Sequence, residues 1–133
     1  MYLVVDTSVI LAVLLNEPSR TELIALTTGA ELVAPASLHW EIANALSAML
    51  RRKRLTLVEA RHVLHGYAQI PLRLVDVELE DALTIASTSG IYAYDAYFIV
   101  CAQRASAPLI TLDGGLAGVA QSVGVEVIPV LGK

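Results

Sequence analysis

The first fifteen residues restrict this chain more than any other stretch. Tyr2-Leu3-Val4-Val5 is apolar at every position and stops at Asp6. Thr7 and Ser8 follow, and apolar residues then continue at helical length to Leu15. A strand with no polar position is buried on both faces, as in a parallel sheet covered by helices on each side. The stretch therefore reads as a buried parallel strand that delivers an acid at its carboxyl end and passes directly into a helix. In open α/β sheets ligands collect in the crevice beyond those strand ends, so Asp6 stands where chemistry is usually done. It also stands where a helix N-cap belongs, because Asp accepts well from the first free N–H groups of a helix. Taken alone, the cap is the commoner explanation.

The rest of the chain repeats this alternation. Asn16 to Ser19 is a break, and Ser19 with Glu22 forms a capping-box signature for a helix that Gly29 ends. Glu31 to Pro35 reads as a second strand. From Ala36 to about Arg52 a long helix carries Leu38, Ile42, Ala45, Leu46 and Met49 as one apolar stripe. Thr56 with Glu59 is another capping box, opening a helix to about Tyr67. Pro71 to Val75 is the expected third strand, Val77 to Ser89 a helix, and Asp95 to about Ala105 the next helix. Leu109 to Leu112 is the expected fourth strand, ending at Asp113 with Gly114-Gly115 as the turn. Leu116 to Ser122 is a short helix and Val125 to Val130 a last strand. Strands alternating with helices imply parallel pairing through crossovers. The expected fold is α/β: one domain over residues 1–133, a parallel β-sheet flanked by helices on both faces as a three-layer sandwich.

Composition bounds the class. With 56% hydrophobic residues the chain is no disordered segment, and 133 residues suffice for a real core. No apolar run approaches the ~18 residues of a spanning helix, and the start lacks a signal peptide's basic region. The expectation is a cytoplasmic protein that does not enter the membrane, with some apolar surface covered by a partner. Cys101 is the only cysteine, which excludes an internal disulfide and a thiolate zinc site, and its apolar neighbours make it a core residue. A net charge of −4 argues against a generally basic nucleic-acid binder but leaves room for a local basic patch.

Four of the thirteen acidic residues occur in apolar surroundings: Asp6, Glu41, Asp95 and Asp113. Asp6 and Asp113 end two strands in the same way, VVD and TLD, so neighbouring strands would bring both to one crevice. Asp95 lies in the apolar stretch Ile91 to Val100, where it also fits a helix N-cap. Glu41 is a full turn inside the long helix and flanks its apolar stripe, roughly 80° from the centre at 100° per residue; it fits a solvated edge position as well as a site. Carboxylates gathered in one crevice repel, and their pKa values rise unless a cation is present. Hard divalent ions, Mg²⁺ or Mn²⁺, suit an all-oxygen donor set, and such a site performs phosphoryl-ester chemistry.

Three pieces of the chain carry a family likeness: VVDTSVILAVLLNEP, PASLHWEIANAL and YDAYFIVCAQRASAPLITLDGGLA. In this order and at this length the chain resembles the PIN-domain ribonucleases, most closely the VapC toxins of VapBC toxin–antitoxin pairs. The resemblance implies a metal-dependent endoribonuclease in which Asp6, Glu41, Asp95 and Asp113 surround one or two Mg²⁺ or Mn²⁺ ions. Asp6 and Asp95 would be the most direct ligands, Glu41 would complete the pocket and Asp113 would support the ion. It further implies an RNA substrate, a VapB-like antitoxin partner and a homodimer, the last two using the apolar first and second helices. Thr7, Ser8 and Thr111 lie beside matched acids and are expected either to orient waters or phosphate or to serve as simple helix-start hydroxyls. Gly114-Gly115 departs from the basic or larger polar residues common in relatives, which removes a phosphate contact from that turn.

Arg51-Arg52-Lys53-Arg54 is the one concentrated basic run, followed on the next helix by Arg61, His62 and His65. It reads as an RNA-phosphate contact beside the acids, or as a solvated helix end suited to the macrodipole. His62 and His65 lack a third zinc ligand. Trp40 is expected as packing or as an anchor for a partner and His39 as structural, with base stacking by Trp40 or Tyr94 the weaker reading. Two other classes compete: a non-catalytic binding module on the same fold, with acids as caps, and a different α/β phosphotransfer protein. A receiver domain would want a Lys after a later strand, and a haloacid-dehalogenase-type phosphatase an Asp where Ser8 stands; neither is present.

Overall fold

The computed structural model describes residues 1–132. Four strands, β1 (Tyr2–Val5), β2 (Glu31–Pro35), β3 (Leu72–Val75) and β4 (Leu109–Ile110), form one sheet in the order β3-β2-β1-β4. Every pairing is parallel, and Val4 stands opposite both Val33 and Leu109. The run without polar positions is thus one of the two strands with a neighbour on each side, and Val4 and Val5 are completely buried. Asp6 emerges from the middle of the sheet and residues 111–113 from the strand beside it.

Seven helices clothe the sheet: α1 (Thr7–Leu14), α2 (Arg20–Thr27), α3 (Ser37–Arg51), α4 (Leu57–Gln69), α5 (Leu79–Ser89), α6 (Ala93–Ala105) and α7 (Gly114–Ser122). Helix α6 lies against β1, β2 and β4, with α5 outside it. Ala96 and Phe98 to Ala102 are all buried, because a helix wedged between a sheet and another helix has little polar face to show. Ala82, Ala96 and Val100 meet where α5 and α6 cross, small side chains that let the two backbones approach. Helix α1 packs with α2, α3 and α4. Its Val9, Ile10, Leu11 and Ala12 are all buried, whereas Val13, Leu14 and Leu15 are half-buried, the last two lining an open groove. Exposed apolar side chains lie elsewhere, at Leu57, Val58 and Leu64 of α4 and Leu79 and Leu83 of α5.

Several local expectations are corrected. The Ser19/Glu22 capping box does not form: Ser19 is already in the α conformation and its side chain makes no cap bond, whereas a capping residue needs extended φ/ψ. Glu22 instead accepts from the backbone N–H of Leu131 and Gly132, at 2.7 and 2.8 Å. The Thr56/Glu59 box is present as expected. Helix α6 begins at Ala93 with Tyr92 as its cap, which moves Asp95 from a capping position into the first turn. Gly114-Gly115 opens α7 rather than forming a separate turn, and Asp113 caps it. The last strand is reduced to one bridge, Leu109 to Val127, since β4 is only two residues long and offers nothing further to pair with. Gly90 ends α5 at φ 69°, a left-handed position that glycine occupies without strain. No helix of the described residues is long and apolar enough to cross a membrane.

Candidate active site

Asp6 is 5% exposed, yet each of its carboxylate oxygens has a partner. Oδ1 accepts from the Ser8 hydroxyl at 2.6 Å and from the Val9 N–H at 3.1 Å, and Oδ2 accepts from the Thr111 hydroxyl. The same hydroxyls reach onward: Ser8 Oγ accepts from the Leu112 N–H and Thr111 Oγ1 from the Asp113 N–H, both at 3.0 Å. Three short side chains therefore zip the carboxyl ends of β1 and β4 together where the ladder itself stops. Asp113 caps α7, its Oδ1 taking the Gly115 and Leu116 N–H groups. Both aspartates are N-caps, and in each a lone pair is left over, because a carboxylate has about four acceptor sites.

Glu41 and Asp95 are held differently. Glu41 projects from the second turn of α3, where Thr7 Oγ1 donates to its Oε1 over 3.4 Å, while its Oε2 is buried with no partner. Asp95 is half-buried in the first turn of α6, and its carboxylate accepts no hydrogen bond from the described residues. Among the described residues the one ion pair is the exposed Arg104–Glu78 contact. None of the four acids has a protein cation.

Three of the four carry raised pKa values, each with a neighbouring acid's charge among the causes. Burial raises the pKa of Asp6, against the lowering bonds from Ser8, Thr111 and Val9, and the charge of Asp113 adds to the rise. Burial pushes Glu41 up to about 7, opposed by the Ser37 hydroxyl, which lies near but makes no hydrogen bond, and by that of Thr7, and reinforced by the charges of Asp95 and Asp6. Asp95 is raised by burial and then by Asp113. Asp6, Glu41 and Asp95 thus each feel at least one other acid of the four. A carboxylate raised both by desolvation and by its neighbours' charge is the condition a divalent cation relieves. The set is all oxygen, and Glu41 Oε2 is an orphaned buried acceptor, so the donors suit a hard ion. As they stand, no three of the His, Cys, Asp and Glu side chains among the described residues converge closely enough to hold one.

A groove of about 570 Å³ runs beside Glu41, lined by Thr7, Trp40, Glu41, Asn44, Ala45 and Tyr94. Reading the sequence missed Asn44, although its place three residues after Glu41 on one helix puts the two on the same face. The basic run is not brought to this groove. Arg51 lies ten residues beyond Glu41 on α3, about 15 Å along the axis, and Arg54 borders a separate groove with Glu17, Glu59 and His62. The rings of His62 and His65 meet edge-on, 6.4 Å apart, with no third ligand. Cys101 is buried, and burial pushes its thiol up to about 12, as suits a core residue.

Comparison with known proteins agrees with this architecture. The PIN domain family pattern matches residues 3–121, so the chain belongs to the PIN domain family. Within it the likeness is to VapC ribonucleases: the chain is 32% identical to "Ribonuclease VapC3" of Pyrobaculum aerophilum, over 88% of this chain and 93% of that one. Among solved structures, FitAcB from Neisseria gonorrhoeae superposes with a TM-score of 0.69 at 19% identity, covering 96% of each chain. VapBC2 from Rickettsia felis, bound to a DNA fragment from its promoter, gives 0.67 at 12% identity over 96% of this chain and 98% of that one. These two share the fold.

Proposed function

We propose that this chain is a divalent-metal-dependent endoribonuclease, the toxin of a toxin–antitoxin pair, with Asp6, Glu41, Asp95 and Asp113 as its active site. One observation carries the reading: at the carboxyl edge of the sheet the charge of Asp113 bears on Asp6 and Asp95, and those of Asp6 and Asp95 bear on Glu41, with no cation paired to any of them among the described residues. The similarity to VapC ribonucleases supplies the substrate class. Asp6 would hold Mg²⁺ or Mn²⁺ through a lone pair its structural bonds leave over, Asp113 through Oδ2, Asp95 through its unbonded carboxylate and Glu41 through Oε2. Bound there, the ion would supply a Lewis acid and lower the pKa of a water for attack on phosphorus.

The chain's own residues do the remaining work. Ser8, Thr111 and the Val9 N–H fix the rotamer of Asp6, so the first carboxylate is oriented before any ligand arrives. Thr7 holds Glu41 Oε1 and leaves Oε2 buried without a partner. Arg51, Arg52, Lys53 and Arg54 take phosphates of the same RNA strand two or three nucleotides away from the cut, offsetting the repulsion of the acidic pocket. A VapB-like antitoxin and a second copy of the chain cover the exposed apolar side chains of α4 and α5.

The binding-module alternative finds support at Asp6 and Asp113, which do cap helices, but Glu41 and Asp95 cap nothing. Cleavage of a labelled structured RNA with Mg²⁺, with Mn²⁺ and with EDTA, beside Asp6→Asn and Asp95→Asn, tests the proposal. Cutting that needs the metal and vanishes in both variants supports it; equal cutting by all three proteins would mean a contaminating nuclease.

A further inference from the structure

Trp40 is 72% exposed and Tyr94 61% exposed, an unusual display for the chain's one tryptophan and a large phenol ring, and both border the groove that contains Glu41. Each ring has one aromatic neighbour. The His39 ring meets Trp40 edge-on with centroids 4.9 Å apart, and Tyr97 meets Tyr94 in the same way at 5.9 Å and 84°. Edge-to-face contact of this kind favours one orientation of each ring and leaves its faces open. No cation lines the groove; its other residues are Thr7, Asn44 and Ala45. A polyanion entering here meets the Glu41 carboxylate and no opposite charge among the lining residues, so any affinity must come from contacts that do not depend on charge.

Resting on the ribonuclease reading, we propose that Trp40 and Tyr94 stack unpaired nucleobases of the substrate beside the acids, making the groove a subsite for single-stranded RNA. Base–aromatic stacking tolerates any base, because each has a π face, and it survives in an acidic pocket. A base inside a duplex has both faces covered by its neighbours and offers nothing to the rings. Asn44 lies within the same groove and adds donors and an acceptor for a base edge. The selection of single strands is thereby separate from cutting, which belongs to the carboxylates.

Because Trp40 is the only tryptophan, its emission reports this groove in the natural protein. The experiment titrates the protein in EDTA, where nothing is cut, with a mixed-sequence hexaribonucleotide, single-stranded or annealed to its complement. The expected result is saturable quenching by the single strand and little by the duplex. Tyr94→Ala should weaken binding about 5- to 150-fold, the range alanine substitution gives for one stacked base, and Tyr94→Phe should restore it. Trp40→Ala, followed by anisotropy of a labelled strand, should lose a similar factor and Trp40→Phe regain most of it. Emission blind to the single strand, or equal response to the duplex, overturns the inference and leaves the rings as a protein-docking face. That outcome is readable whether or not the protein cuts RNA with metal, so failure of the stacking subsite and failure of the nuclease reading are told apart.

Discussion

The two halves of the acid cluster are built on opposite plans. Asp6 and Asp113, at the strand ends, are woven into the backbone: they cap α1 and α7, and the hydroxyls of Ser8 and Thr111 join them across the gap between β1 and β4. Glu41 and Asp95, on helices, hold nothing together; one has an orphaned buried oxygen and the other no hydrogen bond at all among the described residues. The strand-end acids are partly compensated by their structural bonds. The helix acids carry desolvation and repulsion with little in return. A carboxylate kept under those conditions is a cost to the fold, and costs of that kind cluster where function is.

The sharpest way to break the comparison is to mutate one acid from each half and read activity and stability together. Asp95→Asn should lower RNA cleavage by at least about 100-fold while changing the denaturant midpoint little, because no structural bond is lost. If Asp95→Asn unfolds the protein, the division is wrong. Asp6→Ala should abolish cleavage and also cost about 2–3 kcal/mol of unfolding free energy in urea, from a lost cap and two stranded hydroxyls.

A smaller effect sharpens the contrast through pH. The folded pKa values of Asp6, Glu41 and Asp95 lie above their ordinary values, Glu41 moving from 4.5 to about 7. The native state then binds more protons than the unfolded chain, so stability falls as pH rises through that window. Metal-free protein should melt at a higher temperature near pH 5 than near pH 8 by differential scanning fluorimetry. Glu41→Gln should flatten that slope, and Mn²⁺ should restore stability at pH 8. A wild-type melting temperature flat across this range would remove the repulsion from the account. The smallest effect is Thr111→Val, expected to cost about 1 kcal/mol by removing the hydroxyl between Asp6 and the Asp113 N–H.

How far the sequence told this in advance depends on the kind of signal. The unbroken apolar run Tyr2 to Val5 marked the central strand, because burial on both faces writes itself on every residue. The like endings VVD and TLD marked two acids for one crevice, and β1 and β4 are indeed neighbours. Glu41 stood out because nothing about helix capping explained it. Asp95 was placed at a helix start but two residues off, since Tyr92 rather than the acid supplies the cap. The strand expected at Val125 to Val130 has the right alternation, yet its partner β4 offers only two residues to pair with. The distance between the basic run and the acids was hidden because a helix wheel records the face and discards the rise along the axis. Trp40 and Tyr94, far apart in sequence, share a groove only through packing.

The most direct test of the central claim, that four carboxylates act as one cation pocket, is a calorimetric titration of the purified protein with Mn²⁺ at pH 7.5, repeated with Asp95→Asn and Glu41→Gln. The account predicts saturable binding by the natural chain, weakened in both variants although neither residue supports the fold. Identical binding in all three proteins, or none in a folded natural chain, would contradict it.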